Sequence, residues 1–124
     1  MHKKKILILA LFFWLIGITT LSLVSMNGMS IDAPKNADKY VHFLFYFILT
    51  LLLILNLGFN LKVKFPIVIS FFIAVIYGII IEILQGQLTE NRKPELTDAL
   101  FNSLGSLTAV ILVVLNRKRL NFIK

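Results

Sequence analysis

Four stretches of this chain carry almost no charge: residues 6–24, 41–57, 67–84 and 99–115. As a helix rising 1.5 Å per residue, the first run would extend about 28 Å, close to the roughly 30 Å of a bilayer's hydrocarbon core. Hydrophobic residues make up 58% of the 124 positions, against roughly 45–50% in soluble domains. The excess is concentrated in these runs, so the bilayer is the expected solvent. None of the runs alternates with a period of two, which argues for helices over strands. The expected fold is all-α: an antiparallel four-helix transmembrane bundle, forming a single domain over residues 1–124, with spans at about 6–24, 41–57, 66–84 and 96–115.

Local signals punctuate the spans. Met1 to Lys5 is a basic start, and with the apolar run behind it resembles the opening of a signal peptide. The run is long, and residues 22–29 show no convincing small-residue cleavage site, so a retained first span is the expectation. Asn27, Gly28 and Pro34 mark a connector. Asn36 or Asp38 would cap the second helix, Gly58 would end it, and Pro66 suits the first turn of the third. Residues 60–64 read as a basic turn, residues 86–93 as a polar connector, and Pro94 sits near the start of the fourth helix.

Charge sets the expected orientation. Lys3, Lys4, Lys5, Lys62, Lys64, Arg117, Lys118, Arg119 and Lys124 fall at one end of such a bundle, and only Lys35, Lys39, Arg92 and Lys93 at the other. The positive-inside rule then places both termini in the cytoplasm. This accounts for the net charge of +7 without nucleic acid as a partner. The acids Asp32, Asp38, Glu82, Glu90, Glu95 and Asp98 all fall at the opposite, outer end. Acids contribute little to that rule, so their asymmetry is separate information. There is no cysteine, hence no disulfide and no thiolate metal site.

Helical spacing groups the polar residues of the outer end. Asp38 and His42 are four apart, and Tyr46 continues their face. Glu82 and Gln85 are three apart, with Gly78 one turn deeper. Asp98 and Asn102 are four apart, with Gly105 and Ala109 below them as small residues that admit a close neighbour. A short connector bearing Arg92 makes the third and fourth helices neighbours there. The candidate binding residues are Asp38, Lys39, His42, Glu82, Gln85, Arg92, Asp98 and Asn102. His42, Glu82 and Asp98 are the candidates for any catalysis. No metal or other cofactor is expected.

Each group also has a plain structural reading. Asp98 would stabilise a helix N-terminus through the dipole, by about 0.3–1 kcal/mol. Asn102 would join helices by about 0.6 kcal/mol. The aromatics Phe43, Phe45, Tyr46 and Phe47 suit a packing or bilayer belt. Only convergence from three helices lifts these residues above helix-end chemistry. No span carries an ionisable residue at its middle, which weighs against an ion path.

The spaced residues Asp38-Lys39-x-x-His42-Phe43 with Tyr46, then Gly78-x-x-x-Glu82-x-x-Gln85, then Arg92 and Asp98-x-x-x-Asn102-x-x-Gly105 resemble the VanZ-like family, named for a protein that confers low-level resistance to the glycopeptide teicoplanin. The likeness covers residues 38–105. Where that pattern often has a further glycine, this chain has Ala109. The resemblance implies a small multi-pass protein of the bacterial cytoplasmic membrane; teicoplanin tolerance belongs to the protein that names the family and is not by itself implied as this chain's task. Three functions follow as expectations. The first is an outer-leaflet site that binds or modifies an envelope lipid or glycolipid head group. The second is a membrane enzyme with a His–carboxylate acid–base pair or metal site, although no nucleophile, metal-helix or phosphate-loop motif is present. The third is a structural or partner-binding membrane subunit.

Overall fold

The computed structural model describes residues 2–23, 37–88 and 96–119. Four helices span them: α1 (His2–Leu23), α2 (Ala37–Leu55), α3 (Pro66–Leu88) and α4 (Leu96–Leu115). A π-helical turn (Asn56–Asn60) extends α2, and a 3-10 turn (Arg117–Arg119) follows α4. All four helices are long and apolar enough to cross a membrane, with the second span running Lys39–Asn60. The expected all-α, four-helix architecture is therefore the one observed.

The helices do not share the packing equally. α2, α3 and α4 form a three-helix core, with α2 against α4 the most extensive pairing, and α1 rests on α2 and α3. α2 and α4 run in the same direction, antiparallel to α3. Their closeness has a specific cause. A Cβ placed on Gly105 would overlap the Phe43 carbonyl oxygen and lie 3.0 Å from that carbonyl carbon. A bare glycine backbone in α4 thus rests on the backbone of α2. In lipid, where apolar faces gain little by meeting each other, such close approach is what drives helix association.

Tyr46 is the largest fully buried side chain and packs with Ile18, Leu49, Leu53 and Ala74. Apolar side chains such as Phe13, Ile16, Phe72 and Leu115 are exposed. That pattern is inverted for a protein in water and appropriate for one in hydrocarbon.

The far end of α2 departs from the sequence expectation. Gly58 does not end the helix but lies inside the π turn. The reversal falls at Lys62, whose φ of 53° is a left-handed conformation unusual for a side chain. The Val63 N–H caps the Leu57 carbonyl at 2.8 Å. Pro66 opens α3 as expected; at that position its missing N–H costs nothing.

The π turn carries a clamp. The Asn56 amide donates to the Leu7 carbonyl at 3.0 Å and the Leu52 carbonyl at 2.8 Å. The Asn60 amide donates to the Lys4 carbonyl at 3.1 Å and to Asn56 Oδ1 at 2.9 Å. A carbonyl has two lone pairs, so Lys4 and Leu7 can accept these bonds without surrendering their own helical ones. Interhelical hydrogen bonds in membranes average about 0.6 kcal/mol and reach about 1.7. Asn56→Leu removes three bonds of this network and is expected to cost about 1–3 kcal/mol, measured by unfolding in mixed detergent micelles. Unchanged stability would show that the clamp does not hold α1.

Candidate functional site

One end of the bundle carries the C-terminal ends of α1 and α3 and the N-terminal ends of α2 and α4. The buried polar residues Ser22, His42, Glu82, Gln85, Asp98 and Asn102 lie there. Lys39, half-buried, stands in the first turn of α2. The opposite end carries Lys3, Lys4, Lys5, Lys62, Lys64, Lys118 and Arg119. Among the described side chains, the acids Glu82 and Asp98 lie with Lys39 at one end and the other bases at the opposite end; Asp32, Glu90 and Glu95 lie outside the described residues. Arg92 lies outside the described residues, as does the side chain of Asp38.

Gly78 fixes the register of the core. A Cβ built on it would lie 3.1 Å from Tyr46 Cε1 and 3.2 Å from Asn102 Nδ2. Gly78, Tyr46 and Asn102 therefore form one layer across α3, α2 and α4. Side chains four residues apart stack on one helix face. One step toward the acidic end replaces them with Glu82, His42 and Asp98. One step the other way brings Ala74, Thr50 and Ser106. A further step on α3 reaches Ser70. All of these residues are buried.

The three stacks form a graded column: ionisable groups at the rim, then a phenol and an amide, then aliphatic hydroxyls. The hydroxyl oxygens of Tyr46, Thr50, Ser70 and Ser106, and Asn102 Oδ1, find no hydrogen-bond partner among the described residues. The column reaches deeper than sequence reasoning anticipated, although no ionisable residue lies at its inner layers. Thr50, Ser70 and Ser106 were the residues missed. Part of the signal was available, because Thr50 and Ser106 lie four residues from Tyr46 and Asn102, while Ser70 lies eight from Gly78.

The rim is tied to its surroundings. Lys39, His42, Glu82, Gln85 and Asp98 all have interaction partners. Gln85 donates from Nε2 to the Ser22 carbonyl at 2.7 Å, joining α3 to the end of α1. The Thr19 and Tyr77 hydroxyls bond to each other, and Trp14 donates from its indole N–H to the Phe45 carbonyl at 2.9 Å. His42 meets Phe45 edge-on, with ring centroids 6.3 Å apart. Asp98 lies in the first turn of α4, where the helix dipole favours its negative charge. Among the described residues, no three His, Asp or Glu side chains gather closely enough to hold a metal ion.

No family model matches the chain, and neither the curated proteins nor the solved structures include a match to it.

A groove of about 490 Å³ runs beside the rim between α3 and α4. Its walls are Ile79, Ile83, Leu96, Ala99 and Leu100, with Ser103 and Glu82 completing the lining. Leu96, Leu100 and Ile83 are exposed, so the groove opens toward the bilayer. It places an apolar trough against a buried acid.

Proposed function

We propose that this chain is a VanZ-like protein of the bacterial cytoplasmic membrane, with both termini in the cytoplasm, whose acidic end binds an envelope lipid or glycolipid head group at the outer leaflet. The observation that carries the reading is that His42, Glu82 and Asp98 are all buried at one end of the bundle, each one helical step from the layer of Tyr46, Gly78 and Asn102 and over a run of buried phenol, amide and hydroxyl groups. Buried polar groups without partners cost about 1–3 kcal/mol each. A core that keeps so many along one axis suits a ligand rich in hydroxyl or amide groups. The trough beside Glu82 favours a lipid over a soluble molecule, because an acyl chain can lie between α3 and α4 while its head group reaches the rim. On this reading, altered handling of such a lipid would underlie an effect on teicoplanin tolerance.

The test uses isosteric changes that preserve packing. Glu82→Gln and Asp98→Asn are expected to lower retention of labelled lipid-linked envelope precursors by the purified protein about ten-fold or more, the order set by losing a hydrogen bond to a charged group. Membrane levels of both variants should match the parent. Full retention by both would sink the site. Turnover of the precursor, lost on His42→Gln, would move the reading to an enzyme.

Orientation is tested separately. The chain has no native cysteine, so Gln87→Cys and Lys118→Cys each report alone. In intact cells a membrane-impermeant maleimide is expected to label Gln87→Cys and not Lys118→Cys. The reverse pattern would turn the site toward the cytoplasm and remove the outer-leaflet ligand.

A further inference from the structure

The basic end holds a second built feature, independent of the acidic cluster. A groove of about 370 Å³ lies between the first turns of α1 and the end of α2, lined by Lys3, Ile6, Leu7, Leu55 and Phe59. The asparagine clamp fixes its geometry, because Asn56 and Asn60 hold the Leu7 and Lys4 carbonyls against the π turn. The π turn also sets Phe59 into the groove wall. The Lys4 ammonium stands 6.0 Å from the Phe59 ring centroid, within the range of a cation–π contact. Lys3 thus lines an apolar groove, and Lys4 stands beside it over the ring of Phe59, one of the groove's walls.

We infer that this groove is a binding site for an anionic glycerophospholipid of the adjacent leaflet, with its phosphate between Lys3 and Lys4 and one acyl chain along Ile6, Leu7, Leu55 and Phe59. Charge complementarity selects the occupant. The described residues of this end carry Lys3, Lys4, Lys5, Lys62, Lys64, Lys118 and Arg119 and no acid. A zwitterionic lipid would bring a second cation to that field, whereas a phosphatidylglycerol-type head group brings only negative charge. The apolar wall separates this site from a diffuse basic belt, which would attract anionic lipid without seating a chain.

Native mass spectrometry of the full chain, released from nanodiscs of phosphatidylglycerol and phosphatidylcholine in equal amounts, reads the site directly. The parent is expected to retain phosphatidylglycerol in preference to phosphatidylcholine. Lys3→Gln with Lys4→Gln should lower that retention about ten-fold or more, the order expected for two lysines near an anionic surface. Lys62→Gln with Lys64→Gln, which removes as much charge from the neighbouring turn, should change it far less. Ile6→Trp fills the trough, keeps every charge and leaves the clamp intact, and should also abolish the preference. Equal loss in the two lysine pairs, or full retention by Ile6→Trp, would reduce the feature to general surface attraction. Equal retention of the two lipids by the parent would overturn the proposal outright.

Discussion

Gly105→Ala is expected to be among the most damaging single-methyl additions in this chain. The added Cβ would overlap the Phe43 carbonyl oxygen and lie 3.2 Å from the Phe43 Cα. These are backbone atoms in the middle of a helical turn and cannot rotate aside, so α2 and α4 must separate. Overpacking costs about 1–3 kcal/mol and occasionally more, and the upper part of that range is expected here. In water, part of such a loss is recovered because exposed apolar faces still prefer one another. In hydrocarbon, lipid tails solvate the separated faces. Unfolding in mixed micelles measures the effect. Gly17→Ala supplies the contrast, since nothing lies within 4 Å of a Cβ there. Its helix propensity should improve by up to about 1 kcal/mol. Equal behaviour of the two variants would show that the α2–α4 contact does not depend on glycine.

Tyr46→Ala should be comparably severe for the opposite reason. It removes the largest buried side chain from the point where α2, α3 and α4 meet beside Gly78. Emptying a large aromatic site in a packed core costs about 3–5 kcal/mol in soluble proteins. Much of that is lost van der Waals contact, which a bilayer does not diminish. Tyr46→Phe separates packing from polarity. The hydroxyl has no hydrogen-bond partner among the described residues, so its removal should leave stability unchanged or raise it by up to about 1–3 kcal/mol. Ligand retention is where that variant should fall, because the phenol lies one layer beneath His42, Glu82 and Asp98. A phenylalanine variant that unfolds easily would mean the hydroxyl is structural, and one that binds ligand normally would remove it from the site.

The architecture was legible in the sequence because length and apolarity alone define a span. Most of the rim was legible too, since Glu82 with Gln85 and Asp98 with Asn102 share helix faces by simple spacing. What spacing could not supply was the partner of each face. The short connector implied that α3 and α4 are neighbours, and they are, but the tightest pairing joins α2 to α4, which are distant in sequence. Gly105 suggested a close approach without saying to what. Thr50, Ser70 and Ser106 do not stand out by type, because hydroxyl residues are common in apolar helices and cost little there; spacing puts Thr50 and Ser106 on the faces of Tyr46 and Asn102, and the Gly78 layer adds that those faces meet. The clamp at Asn56 and Asn60 was hidden because a polar residue near a helix end looks like a cap. The π turn that aims both amides at α1 has no simple sequence signal.

The manner in which α1 is held bears on how this chain can change over time. Asn56 and Asn60 grip the main-chain carbonyls of Leu7 and Lys4, and Gln85 grips that of Ser22. Any amino acid at those three α1 positions offers the same acceptor. The first helix can therefore drift widely in side chain, matching the thickness and composition of whatever bilayer surrounds it, without loosening these joints. The burden of keeping the joints falls on three amides in other helices. Their loss cannot be repaired by any change in α1 itself, so substitutions should accumulate unevenly, freely along the first span and sparingly at residues 56, 60 and 85.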